Sequence, residues 1–217
     1  MAKRTQLRAG TGARGYHHGD LRQALLTTAE GLLAERGVEG FTLRECARRV
    51  GVSPAAPAHH FGNVRGLLTA IATLGFVGLA QAMDQAMSSD GTPQERLAAI
   101  GLAYIRFALA YPARFRVMFG RFPLDQDDAE LSRAGERTFR MLADTIAAQP
   151  ARRGQLDEGG KADLVTAWSM VHGFAYLALD GQMPFVDGKR RDEEIDRMAK
   201  AVTSVLPARM NAVELPA

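Results

Sequence analysis

The sequence predicts an all-α chain. Apolar residues recur at three- and four-residue intervals along most of its 217 positions, and no stretch alternates as a half-buried strand would. Proline and glycine cut the periodic segments into helix-sized pieces, and capping residues stand where the pieces begin. A chain of this length that is 47% hydrophobic has ample material for a buried core.

The elements follow in order. Residues 1–19 are rich in Gly and Arg, carry four basic residues and no acids, and are expected to form a flexible basic arm. A first helix is expected from Asp20, which makes a capping-box pattern with Gln23, to just before Gly37. Its apolar stripe is Leu21, Leu25, Ala29, Leu32 and Leu33. Thr42 and Glu45 make a second capping box, opening a short helix that runs through Val50 and stops at Gly51. Ser53 then reads as the N-cap of a third helix with Pro54 at its first position, where a missing N–H costs nothing. Pro57 would fall at the fourth position and lose only the bond to the Ser53 carbonyl.

Asn63 is placed to cap a long fourth helix reaching about Met87, and Gly91-Thr92-Pro93 separates it from the next. Further helices are expected at about 93–110, 112–120, 128–148, 161–180 and 192–206, parted by Pro112, Pro123, Pro150 and Pro184. The last carries the stripe Ile195, Met198, Ala199, Val202, Val205 and Leu206. No internal repeat is visible. Three parts are thus expected: an arm (1–19), a compact helical head (20–65) and a helical body (66–217).

Charge is unevenly spread. The net charge is +3, yet residues 1–65 hold ten Lys/Arg against five Asp/Glu, while the remainder is slightly acidic. A basic end suits a polyanionic partner. The single cysteine, Cys46, forms no internal disulfide and fits a reducing compartment. The N-terminal residues lack the apolar core of a signal peptide, and the uncharged runs 66–83 and 164–179 fall short of a membrane span. Buried helices are the expected reading, in a cytoplasmic protein that does not enter a membrane.

Several chemistries can be set aside. Gly10, Gly12 and Gly15 fit a dinucleotide fingerprint, but no strand precedes them. Adjacent His59 and His60 on a helix point about 100° apart, unlike the i, i+4 pairs that chelate metals. His17 and His18 lie in the arm, and Cys46 has no evident partner. Ser169 and His172 share a helix with no nucleophile elbow and no third member. No metal, cofactor or catalytic activity is expected.

Two short helices joined by a glycine turn behind a supporting helix make a helix-turn-helix. The stretch LRQALLTTAEGLLAERGVEGFTLRECARRVGVSPAAPAHHFGNVRGLL resembles the N-terminal domain of the TetR family of transcription regulators. Phe41, Thr42, Ala47, Gly51, Val52, Ser53, His60 and Phe61 fall in register with the family pattern. The resemblance implies that Thr42 and Arg44 contact DNA phosphates, and that Ser53, Pro54 and Ala55 begin the recognition helix in the major groove. It further implies that His59 and His60 face phosphate. Ala55 can offer only apolar contact to thymine methyls. Ala58 and Val64 stand where the family usually has a phosphate-binding tyrosine and lysine, and Arg65, one position later, is the expected partial substitute.

The segments YPARFRVMFG (111–120) and AWSMVHGFAYLALDG (167–181) resemble a C-terminal subtype marked by Trp, Val-His-Gly and an apolar run. The resemblance implies an effector pocket in the body and a dimer interface on helices 161–180 and 192–206. Candidate pocket walls are Tyr104, Phe107, Phe115, Met118, Phe119, Phe122, Phe139, Trp168, His172 and Tyr176. Trp168 and His172 lie four apart, hence on one face, which suits a satisfied core pair as well as a pocket. The function so implied is a dimeric, ligand-responsive regulator, a repressor released from double-stranded DNA by a small apolar effector. The alternative is a helical small-molecule-binding protein whose head binds DNA weakly or not at all.

Overall fold

A computed structural model of the chain describes residues 18–37, 40–87, 91–152, 154–186 and 190–207. The basic arm lies outside the described residues, except that its last two positions already belong to the first helix. In chain order the helices are α1 (His18–Arg36), α2 (Leu43–Val50), α3 (Ala56–Phe61), α4 (Val64–Met87) and α5 (Pro93–Ala110). They continue with α6 (Pro112–Phe119), α7 (Ala129–Ala147), α8 (Glu158–Leu179) and α9 (Arg191–Ser204). No strand occurs among the described residues.

Thr42 and Asn63 cap the helices that the sequence assigns to them. The Thr42 hydroxyl accepts the Glu45 N–H at 3.2 Å, and Gly51 closes α2 with φ 79°, a left-handed turn that favours glycine. The Asn63 side chain accepts the Gly66 N–H, and Thr92 with Glu95 forms a complete capping box at α5. Asp128 and Asp157 cap α7 and α8 in the same way.

Four expectations need correction. Helix α1 begins at His18, so Asp20 lies inside its first turn and is not its cap. The second capping box is half made, because the Glu45 carboxylate is taken by Arg48 and Arg49. Helix α8 starts three residues early at Glu158: Asp157 caps it, and buried Gly160 packs against Leu156.

The largest difference is at α3. Ser53-Pro54-Ala55-Ala56 is a turn closed by the Ala56 N–H on the Ser53 carbonyl at 3.0 Å, and the helix begins only at Ala56. Pro57 explains it. A helix starting at Pro54 would draw its first bond from the N–H of residue 57, which proline lacks. Displaced to the second helical position, Pro57 forfeits nothing.

The head is α1, α2 and α3 around Leu25, Leu26, Leu32, Phe41 and Cys46. Helix α4 leaves the head and runs through the body, packing on α5, α6 and α7. It is long and apolar enough to cross a membrane by length and composition, with a mean hydropathy of 1.6, yet half of that stretch is buried in the bundle. Gly75 makes the closeness possible, since an added Cβ would collide with the Met118 side chain of α6. Helix α5 lies at the centre of the body against α8 and α9, and Ile100, Ile105 and Phe115 are fully buried there or nearly so.

Candidate DNA-binding head and apolar cavity

The exposed side of the head brings most of the expected DNA contacts together. Thr42, Arg44, Ser53, Pro54, Ala55 and His59 are all exposed, at the start of α2, in the turn before α3 and along α3. Arg44 forms no ion pair among the described residues, which leaves its guanidinium available to a phosphate. Its neighbours are engaged. Arg48 makes two 2.8 Å bonds to Glu45, and Arg49 is shared between Glu35 and Glu45. The Arg48 hydrogen bonds, helped by Arg49 and Arg36, hold the Glu45 carboxyl down at about 2 against some desolvation. The Arg49–Glu35 pair locks α2 onto α1.

Two of the eight expected contacts differ from the rest. His60 is half-buried, with its ring 6.1 Å from that of Phe61, which also carries the Arg22 guanidinium over its face. Arg65 donates to Asp125 at 2.8 Å, in the connection between α6 and α7. The neighbouring Thr69 hydroxyl accepts the Asp125 N–H, also at 2.8 Å. The start of α4 is therefore stapled to the body through one residue. Deeper in, Arg114 of α6 pairs with Glu30 of α1.

The body contains a cavity of about 360 Å³ between α4, α5, α7 and α8. That lies within the range of small-molecule sites, roughly 300–1,000 Å³. Four expected residues line it: Tyr104, Phe119, Phe139 and Trp168. Phe139 and Trp168 are 49% and 38% exposed, so they form its rim. The other six do not line it. Phe115, His172 and Tyr176 stack in a ring cluster with Tyr104 and Phe119, filling the space between α5, α6 and α8. Met118 is taken up under Gly75, Phe122 packs over Gly120, and Phe107 faces a separate groove between α4 and α5.

Apart from Phe76 and Thr138, the remaining wall is aliphatic or small, including Met83, Ile100, Leu142, Ala167, Val171 and Gly135. In sequence such residues read as ordinary core. Gly101 and Gly135 carried a signal, as glycines in mid-helix with no turn to serve. No lining side chain is charged.

The polar atoms of the wall are satisfied from within. Tyr104 Oη lies 2.7 Å from His172 Nδ1. Burial pushes the Tyr104 phenol up, partly offset by the Trp168 side chain, and pushes the His172 imidazole down. Both are neutral at pH 7 and share this one hydrogen bond. Thr138 donates to the Ala134 carbonyl at 3.0 Å. Among the described residues no group of three or more His, Cys, Asp or Glu could hold a metal ion, and Cys46 is buried with its thiol on the Leu25 carbonyl.

A helix-turn-helix head fused to a helical body around an apolar cavity defines a ligand-responsive DNA-binding regulator. The comparisons agree. Residues 25–71 match the family model described as bacterial regulatory proteins, tetR family, and residues 97–202 match the tetracyclin repressor-like C-terminal domain. The class C tetracycline repressor protein of Escherichia coli is 30% identical over 173 residues, 69% of this chain and 75% of that one. A solved structure of a Rhodococcus protein of unknown function is 30% identical with TM-score 0.73, covering 90% of this chain and 98% of that one. AibR, solved in complex with isovaleryl coenzyme A and operator DNA, shares the fold at 20% identity and TM-score 0.64, over 86% and 98% of the two chains. The chain belongs to the TetR family of ligand-responsive, DNA-binding transcription regulators.

Proposed function

We propose that this protein is a cytoplasmic repressor that grips a near-palindromic duplex as a homodimer and releases it when a small apolar molecule fills the cavity. One observation carries the reading: cavity wall and head are joined by a single stretch of chain. Phe119 lines the cavity, and the same stretch runs on to Asp125, which is bonded to Arg65 and Thr69 at the start of α4. A change at the wall can thereby bias the placing of the two heads relative to successive major grooves. Thr42, Arg44, Ser53, Pro54, Ala55, His59, His60 and Arg65 are the proposed DNA contacts. AibR, solved with both a coenzyme A ester and operator DNA, supports pairing the two kinds of site on this fold.

Exposed Val165 and Leu177 on α8, with Val205 after α9, supply apolar surface for the second copy. Trp168, His172 and Gly173 support reading the body as the Trp-His-Gly subtype. A second reading, a ligand-binding protein with a weak head, is favoured by Arg65 being held on Asp125 while Ala58 and Val64 offer phosphate nothing. Binding to a duplex selected from a random pool, followed by fluorescence anisotropy across salt concentrations, separates the two. Nanomolar affinity that falls steeply with salt supports the repressor. Selection of no duplex leaves the second reading.

A further inference from the structure

Gly135 lies inside α7 and lines the cavity. A helix-interior glycine weakens its helix, so its presence calls for a reason in the surroundings. At Gly101, another wall position, the reason is packing: an added Cβ would stand 3.1 Å from Leu206 and from Thr203. At Gly135 an added Cβ would meet nothing within 4 Å, and the backbone there has no left-handed turn to make. What lies in front of Gly135 is the cavity itself.

The wall also limits what can enter. None of the lining side chains is charged, the Thr138 hydroxyl donates to Ala134, and the Tyr104 hydroxyl is already engaged with His172. A charged group brought inside would lose its hydration with no counter-charge to meet. The rings of Tyr104, Phe119, Phe139 and Trp168 offer faces and edges on which another ring packs.

We propose that the cavity takes an uncharged, ring-bearing hydrophobic molecule, and that Gly135 sets how large that molecule can be. The inference rests on the effector reading above and names its ligand class and a specificity-determining position. A glycine at 135 leaves α7 less stable than an alanine would and leaves room for the ligand.

The test uses the full chain and two fluorophores, neutral N-phenylnaphthylamine and anilinonaphthalene sulfonate, which adds a sulfonate to the same ring frame. Wild type is expected to bind the neutral probe, and the sulfonate at least roughly tenfold more weakly. Gly135→Ala is expected to raise Tm by about 2–4 °C while weakening the neutral probe several-fold, and Gly135→Leu to abolish its binding. Gly31→Ala is the control: this glycine is also in mid-helix with nothing near its Cβ position, but it lies in the head. It should gain similar stability and bind the probe as wild type does. Ala167→Leu fills the cavity from α8 and should also reduce binding.

Sulfonate binding as tight as that of the neutral probe overturns the ligand class. Probe loss in Ala167→Leu, with undiminished binding in both folded Gly135 variants, overturns the role of Gly135 alone. A probe that ignores all three cavity substitutions, or does not bind wild type, removes the cavity reading itself.

Discussion

Arg114 Nε on α6 donates to Glu30 Oε1 on α1 at 2.8 Å, with the two side chains only 19% and 17% exposed. The pair ties the DNA-binding head to the helix that ends in the cavity wall residue Phe119. The Arg114 guanidinium also lies 4.9 Å over the Tyr111 ring, so it is held from two sides. Partial burial makes such a pair more sensitive to loss of one partner than an exposed one.

The first expectation follows from that placement. Glu30→Gln and Arg114→Ala should reduce the coupling between cavity and DNA by about 0.5–2 kcal/mol, while both sites keep their intrinsic affinity. DNA affinity measured with and without a cavity ligand, in wild type and variants, gives the coupling directly. An unchanged ratio of the two affinities would take this pair out of the signalling route.

A second expectation concerns Asp163 on α8. It is fully buried, and its Oδ2 accepts from Arg152 Nε at 2.6 Å. Asp163→Ala would leave a guanidinium that is itself only 11% exposed with Asp157, 3.7 Å away, as its remaining acidic partner, at a cost of about 3 kcal/mol. Urea unfolding should show a lower midpoint with the same slope. Asp163→Leu, with Arg152→Met made alongside, should recover most of the loss; a single variant as stable as wild type would mean the pair is dispensable.

Acid should weaken the body through His172. Its folded-state proton affinity is lowered by burial from an ordinary value of 6.5, so the unfolded chain takes up a proton first as pH falls. The stabilising effect of the neutral imidazole is complete above that value and is lost progressively below it. Melting temperature followed from pH 8 to pH 5.5 should therefore fall more steeply in wild type than in His172→Gln. Parallel profiles would contradict this role.

In the head, Arg44→Ala should weaken binding similarly across DNA sequences and lower the salt slope by about one. Asp125→Asn, which frees Arg65 from its carboxylate, should strengthen DNA binding and steepen that slope. Anisotropy titrations at several salt concentrations read both effects, and a slope unchanged in either variant would remove that arginine from the phosphate contacts.

The sequence made the helices legible where caps and breakers agree. Thr92-Pro93, Tyr111-Pro112 and Asp128 place three helix starts within a residue, because Thr92 and Asp128 accept first-turn N–H groups and Pro93 and Pro112 fit a first helical position that needs none. It misled at Ser53-Pro54, where a good N-cap was overruled by Pro57 three residues later. The cavity was half legible. Tyr104, Phe119, Phe139 and Trp168 stand out as aromatic, but Phe115 and His172 look the same in sequence and sit behind the wall. Which rings border empty space is fixed by how α5, α7 and α8 pack together, and periodicity carries no trace of that. The pairs Glu30–Arg114 and Arg65–Asp125 span 84 and 60 positions, and no local pattern could have announced them.

The central claim is that occupancy of the cavity controls the grip of the head on DNA. Its most direct test is operator affinity measured with the cavity empty and with it saturated by an uncharged compound identified by thermal shift. The duplex is one that the protein has selected from a random pool, and Gly135→Leu serves as the variant with no room for the compound. Saturation should weaken wild-type binding about tenfold or more and leave Gly135→Leu unaffected. Equal affinity with the cavity empty and full would contradict it.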